Sequence, residues 1–289
     1  MTKPKPDHVT LFEMSARDGL QNEAAPISTN DKVRLVNLLS RTGLPKIEVA
    51  SFVNPKAVPQ MADGAEVMAG ITRNPDTRYT ALTPNMRGFE AAIKANPDEI
   101  AVFASASEGF SQANINCSIA ESLARFAPLM KAAKGAGIPV RGYVSCITDC
   151  PYDGPTDPAK TAEVAQSLAK MGCYEISLGD TLGTGTPETI GKMLDAVLPL
   201  IPAAKLAGHY HDTHGHALEN IELSLKMGLR TFDASAGGLG GCPFAPGAAG
   251  NVATEKVVET LHDEGYETGV DPESLQKAAS FAKSLRSAR

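Results

Sequence analysis

Four of the six histidines in this 289-residue chain fall within nine residues, Gly208-His209-Tyr210-His211-Asp212-Thr213-His214-Gly215-His216. Residues 203–207 before them end a short extended run. In a strand, residues i and i+2 share a face, so His209 and His211 project together while Tyr210 faces away. Imidazole is the commonest metal-binding side chain, and two on one strand face offer two nitrogens to one ion without bending the backbone. A lone His-x-His is more often a pair of half-buried polar residues; other polar residues lift this one. Asp18 would complete a mixed nitrogen and oxygen set, and Asn251 adds an amide oxygen. Such a set, with room left for substrate, suits Mg²⁺ or Mn²⁺ better than a closed zinc site. Arg17, beside Asp18, can pair with Glu48 on a neighbouring strand, leaving its other donors to face a developing oxyanion. Asp180 reads either as a helix N-cap ahead of Thr186-Pro187 or as a substrate contact. Cys242 stands in a loop with Gly237, Gly238, Gly240, Gly241 and Gly247, which give a thiol no core to fill, so it is a candidate proton donor. Cys117, Cys146, Cys150 and Cys173 read as small buried hydrophobes.

The elements that must hold these residues alternate along the chain. Short apolar, β-branched runs at 9–14, 46–50, 78–82, 99–104, 139–145, 174–178, 205–209 and 231–234 alternate with segments of helical period, such as 29–41, 86–95, 119–136, 158–171, 187–198 and 217–227. Capping signals open several helices, at Ser28, Asp157-Pro158 and Thr186-Pro187, and Gly43, Gly137, Gly172 and Gly228 stop others. Strand and helix alternating eight times predict an α/β fold, a (β/α)8 TIM barrel in one domain over residues 1–289. One extra C-terminal helix follows at about 272–289, and the cysteine loop spans about 236–250. A doubly wound open sheet is disfavoured, because no glycine-rich dinucleotide turn follows the first run. Barrel enzymes react at the C-terminal ends of their strands, and the unusual polar residues fall there. Arg17, Asp18 and Gln21 follow run one, and Ser51 follows run two. Asn114 and Asn116 follow run four, Asp180 closes run six and the histidines close run seven.

Composition removes other classes of function. Lys plus Arg number 27 against 33 Asp plus Glu, a formal charge of 27 − 33 = −6, which argues against a nucleic-acid or membrane-surface role. Trp is absent and aromatics are 5%, so no stacking platform for single strands is present. Five Cys without a C-x-x-C pair read as reduced thiols in a cytoplasmic protein. The first residues carry no apolar signal region, and no apolar run is long enough to span a membrane.

Four stretches carry a resemblance. Ser15-Ala16-Arg17-Asp18-Gly19-Leu20-Gln21-Asn22-Glu23, Ser51-Phe52-Val53-Asn54-Pro55-Lys56 and Gly208-His209-Tyr210-His211-Asp212-Thr213 are three of them. With Gly237-Gly238-Leu239-Gly240-Gly241-Cys242-Pro243-Phe244-Ala245-Pro246-Gly247, the most specific, they resemble the 3-hydroxy-3-methylglutaryl-CoA lyase family of DRE-TIM metallolyases, from residue 13 to about 255. The resemblance implies cleavage of an acyl-CoA substrate to acetyl-CoA and acetoacetate, in a homodimer, with Asp18, His209, His211 and Asn251 on the metal. It implies Arg17, Asp18 and Glu48 as the catalytic set, with Asp180 and His209 as further catalytic candidates and Cys242 as the thiol. Gln21, Ser51 and Asn114 join Arg17 and Asp180 as expected substrate contacts. Such chemistry needs removal of a tertiary hydroxyl proton, by Asp18 or His209, stabilisation of the departing enolate oxygen by Arg17, and protonation of its carbon by Cys242. Ala24, Ala57, His214 and His216 depart from the family pattern of Lys, Trp, Tyr and Gln. Ala57 leaves room for a longer 3-alkyl chain, as in isohexenylglutaryl-CoA. Alternative readings are a 2-oxo acid/acetyl-CoA condensing synthase, a zinc hydrolase using His209, His211 and Cys242, and a binding barrel without catalysis.

Overall fold

The eight apolar runs become eight parallel strands in the computed structural model, which describes residues 7–240 and 250–286. They are β1 (Thr10–Glu13), β2 (Lys46–Ser51), β3 (Arg78–Leu82), β4 (Glu99–Ser105), β5 (Val140–Ser145), β6 (Ile176–Asp180), β7 (Leu206–Tyr210) and β8 (Thr231–Ala234). Each pairs with its neighbour in sequence, and β8 pairs in parallel with β1 (Thr10 opposite Thr231, Glu13 opposite Ala234), closing the barrel. The expected (β/α)8 architecture is therefore present. One local expectation is corrected: Ala203–Lys205 form a 3₁₀ turn ahead of β7 instead of extended chain.

The expected helices are α1 (Thr29–Leu39), α3 (Met86–Ala92), α5 (Ile119–Ala136), α6 (Pro158–Met171), α7 (Pro187–Val197) and α8 (Ala217–Lys226), with α10 (Pro272–Leu285) after the eighth unit. To these the structure adds α2 (Gly64–Gly70), α4 (Glu108–Ile115) and α9 (Thr254–Asp263). Asn114 thus rides on a helix, since Ser107 accepts the Phe110 amide at 3.0 Å and starts α4 directly after β4. Capping follows the sequence signals: Ser28 accepts from Asp31, Asp157 from Ala159 and Thr186 from Thr189.

Apolar side chains fill two layers. The outer layer packs helices on strands, with Leu35, Val36, Leu39, Ile47, Leu168, Leu194 and Val257 fully or nearly fully buried. The inner layer, enclosed by the strands, holds Phe12, Met14, Leu82, Ala101 and Tyr143. It is mixed with charge: the Arg141 guanidinium lies 4.2 Å over the Phe12 ring, and Glu48, Arg141 and Asp233 are buried with it. Helix α10 braces the entry to the glycine segment, because Arg286 donates to the Gly238 carbonyl and Phe281 stacks under Arg34 on α1.

Gly43 has φ of +87°, and a β-carbon there would lie 2.3 Å from the Gly269 carbonyl oxygen. Gly43→Ala should therefore cost about 1–2 kcal/mol for the left-handed backbone alone, and more for the contact. Gly135→Ala, within α5 and with nothing within 4 Å of the new carbon, should instead stabilise by about 0.5–1 kcal/mol. Urea unfolding of the two variants checks the opposite signs.

Candidate active site

The first catalytic candidates sit on an unusual turn. Ser15–Gly19 form a single π-helical turn directly after β1, closed by the Gly19 amide donating to the Met14 carbonyl at 3.0 Å. Such turns are rare and cluster at functional sites. Here the turn presents Arg17 and Asp18 together, with Arg17 Nη1 2.6 Å from Asp18 Oδ1. Gly19 is required by close approach, since a β-carbon would meet Leu239 Cβ and Ser235 Oγ, each at 2.8 Å. Arg17 Nε donates to Glu48 on β2, whose other carboxylate oxygen accepts from the Tyr143 hydroxyl at 3.1 Å. Burial raises the Glu48 carboxyl against the pull of Arg17, and it raises the Tyr143 hydroxyl as well.

The histidines arrive from β7 and the residue beyond it. His209 Nε2 and His211 Nε2 are 3.3 Å apart, and Asp18 Oδ2 lies 4.0 and 3.9 Å from them. Tyr210 points the other way and bonds Ser224 on α8 at 2.8 Å, as strand alternation requires. Asn251 joins from a distant part of the chain. Residues 250–253 run between the ends of β7 and β8, with Asn251 bridging antiparallel to His211 and Ala253 parallel to Ser235. Its Nδ2 donates to Asp18 Oδ2 at 2.7 Å. Burial opposes ionisation of Asp18, yet Arg17, both imidazoles and this amide hold its carboxyl well below the usual carboxylate range. Burial, with His209 and Arg17 nearby, lowers the His211 imidazole to about 4 against the pull of Asp18, so it is neutral and ligand-competent at pH 7. Burial works against charge on His209 too, but the Asp233 hydrogen bond and charge, with Asp18, outweigh it and raise its pKa.

This donor set fits a divalent ion. Two imidazole nitrogens and one carboxylate oxygen lie within 4.8 Å of one another, and the His211 Nδ1 atom is buried with no hydrogen-bond partner among the described residues. Oxygen and nitrogen ligands at this spacing, beside an open cavity, match a site that keeps positions for substrate. The cavity, of about 480 Å³, is lined by Arg17, Asp18, Gln21, Tyr143, His209 and His211 at the metal end. Asn114, Phe110, Phe126 and Arg125 line it elsewhere, and Val53, Ala57, Val58 and Leu82 supply an apolar wall.

Two expected substrate contacts do not reach this cavity. Asp180 is fully buried, and its carboxylate accepts from Thr148 Oγ1 at 3.1 Å, the Gly183 amide at 3.2 Å and the Gly185 amide at 2.8 Å. A carboxylate without water must find donors, and the 181–185 loop supplies them; Asp180 shapes that loop, while Thr186 caps the helix. Ser51 is 2% exposed and absent from the cavity lining. The register of β2 against β3 shifts by one residue between Glu48 and Ala50, which sets Ser51 opposite Leu82, and its buried hydroxyl has no hydrogen-bond partner among the described residues. Cys242 lies outside the described residues. Sequence reasoning missed Asp233, Arg141, Glu175 and Glu13. Glu13 fastens the top of β1 to both flanks of the glycine segment, accepting from the Ser15 and Ala236 amides at 2.9 Å and Thr254 Oγ1 at 2.7 Å. The signal for all four was a charge flanked by apolar residues in a run otherwise read as barrel core.

A closed parallel barrel that brings a carboxylate, two imidazoles and a buried arginine together at the C-terminal ends of its strands is the frame of a divalent-metal barrel enzyme. The model of the HMGL-like family matches residues 8–282, and the chain belongs to that family. An HMG-CoA lyase structure from Brucella melitensis superposes with a TM-score of 0.96 at 60% identity, covering 97% of this chain and 99% of that one. A Pseudomonas aeruginosa protein named as a 3-hydroxy-3-isohexenylglutaryl-CoA/hydroxymethylglutaryl-CoA lyase is 55% identical over 94% of this chain and 91% of its own. A structure of an Acinetobacter baumannii HMG-CoA lyase in complex with coenzyme A and 3-methylmalate gives a TM-score of 0.93 at 37% identity, covering 98% of this chain and 93% of that one.

Glu48→Ala would leave Arg17 buried with one of its two carboxylate partners gone. A stability loss of about 1–3 kcal/mol or more is expected in urea unfolding, together with a fall in kcat/KM. Wild-type values for both would show that the pair holds nothing in place.

Proposed function

We propose that this chain cleaves 3-hydroxy-3-methylglutaryl-CoA to acetyl-CoA and acetoacetate with the aid of Mg²⁺ or Mn²⁺. The observation that carries the reading is the convergence of Asp18, His209 and His211 beside Arg17 on the wall of the cavity, in a chain of 55–60% identity to lyases named for this thioester. Asp18, His209 and His211 would hold the ion, and Asn251 would join them by presenting its amide oxygen. Bound there, a divalent cation supplies Lewis acidity that lowers the pKa of the substrate's tertiary hydroxyl.

The protein's own groups do the rest. The hydroxyl proton passes to the Asp18 carboxylate, which keeps free lone pairs when one oxygen faces the ion, whereas the single Nε2 lone pair of His209 would be taken by the ion. As the carbon-carbon bond breaks, negative charge collects on the thioester enolate oxygen. Arg17, immobilised by Glu48 and Asp18, stabilises it with no reorganisation at the moment of reaction. Cys242 then delivers a proton to the enolate carbon. Gln21 and Asn114, both on the cavity wall, bind the remainder of the substrate. Asp180 and Ser51 have no place in this set. We further assign the chain to the cytoplasm as a homodimer, the first supported by its free cysteines Cys117, Cys146, Cys150 and Cys173.

Purified enzyme with Mg²⁺ should release acetyl-CoA and acetoacetate from 3-hydroxy-3-methylglutaryl-CoA, lose activity in EDTA and regain it with added metal. Isohexenylglutaryl-CoA belongs in the same assay, because Val53, Ala57 and Val58 form an apolar wall. The methyl compound is expected to have the higher kcat/KM. Condensation of acetyl-CoA with a 2-oxo acid, without cleavage of either thioester, would overturn the lyase reading. Cys242→Ser should lose about 10²- to 10⁴-fold in rate while retaining metal. Full activity in that variant would remove the thiol from the mechanism.

A further inference from the structure

Strand register places Asp233 of β8 directly opposite His209 of β7, and Ser177 of β6 enters the same layer two residues before Gly179, the partner of His209 on the other side. Both oxygens of the Asp233 carboxylate are engaged. Oδ1 accepts from Arg141 Nη2 at 2.7 Å, while Oδ2 accepts from Arg141 Nη1 at 2.9 Å and the Ser177 hydroxyl at 2.7 Å. Oδ2 also lies 3.1 Å from His209 Nδ1. Arg141, itself fully buried, is turned toward Asp233 by its Nε bond to Glu175 at 2.7 Å. A carboxylate doubly bonded to a guanidinium is an acceptor only, so the hydrogen of the His209 contact belongs to Nδ1. Neutral His209 then has its lone pair on Nε2, the atom that faces Asp18 and His211. His211 has no counterpart to this arrangement, because its Nδ1 is unpartnered among the described residues.

We propose that Asp233, held by Arg141 and Ser177, is a positioning residue that fixes the Nδ1–H tautomer and ring direction of His209 and so presets Nε2 as a metal ligand. The inference rests on the metal reading above and adds that one of its two imidazoles is preorganised from the barrel interior. The bonds made to the carboxylate are as important as the carboxylate itself. An Asn at 233 would keep the shape but could turn an NH₂ toward Nδ1, stabilising the opposite tautomer and placing a hydrogen where the ion must bind.

Two readouts test this, neither needing turnover. In metal-free protein with ¹⁵N-labelled histidine, at a pH high enough that His209 is neutral, its ring, assigned by its loss in His209→Gln, should show a protonated Nδ1 and a bare Nε2. Calorimetric titration of Asp233→Asn with Mn²⁺ should give a Kd raised about 10- to 100-fold over wild type, the range for loss of such an outer partner. The same variant should move the His209 signal to the Nε2–H form, which a purely structural role for Asp233 would not do. Wild-type Mn²⁺ affinity in a folded Asp233→Asn protein, or an Nε2–H tautomer in the wild type, would overturn the proposal. Should Asp233→Asn fail to fold, the wild-type tautomer decides alone. Failure of the wild type to bind Mn²⁺ at all is a separate result and would overturn the metal reading and this inference with it.

Discussion

Moving a carboxylate or guanidinium from water into a protein interior costs several kcal/mol unless its partners are fixed and complete. This barrel encloses Arg17, Glu48, Arg141 and Asp233, each 7% exposed or less. That cost leaves few acceptable arrangements. Arg141 must satisfy Asp233 and Glu175 together, which ties β5, β6 and β8 at one level, and Arg17 must satisfy Glu48 and Asp18, which ties β2 to the turn after β1. Apolar packing around Phe12, Met14 and Tyr143 supplies the drive for closure, while the ion pairs set where the closed barrel rests. The reacting groups inherit their positions from this second requirement.

Charges on different strands also create a gradient of chemistry along the barrel. Asp18 carries two cationic or partly cationic neighbours and stays ionised; His211, buried beside His209, stays neutral. An ionised carboxylate next to a neutral imidazole is the state in which both are ligands. The same cavity also has an apolar lining, through Val53, Ala57, Val58 and Leu82, so polar and aliphatic surface share one space.

Much of this was legible in the residues. Each strand of the barrel needs only a short apolar run ended by a turn, and those runs were found within one or two residues of their observed ends. His209 and His211 obey period two, a local rule, and Tyr210 between them turns outward as that rule requires. What stayed hidden depends on closure. Asp233 lies 92 residues from Arg141 and 24 from His209, and only the parallel register of β5, β6, β7 and β8 brings them together. The π turn at Ser15–Gly19 leaves no signature in residue type. Asp180 also closes a strand at this end, and which donors its carboxylate finds, the amides of its own loop, depends on how the 181–185 segment folds.

The central claim is that two imidazoles from the end of β7 and one carboxylate from the turn after β1 share one ion. Electron spin-echo envelope modulation of the Mn²⁺-loaded protein counts coordinated nitrogens directly. The account predicts modulation from two imidazole nitrogens in the wild type and from one in His211→Ala. Modulation from no histidine nitrogen, with Mn²⁺ still bound, would contradict it.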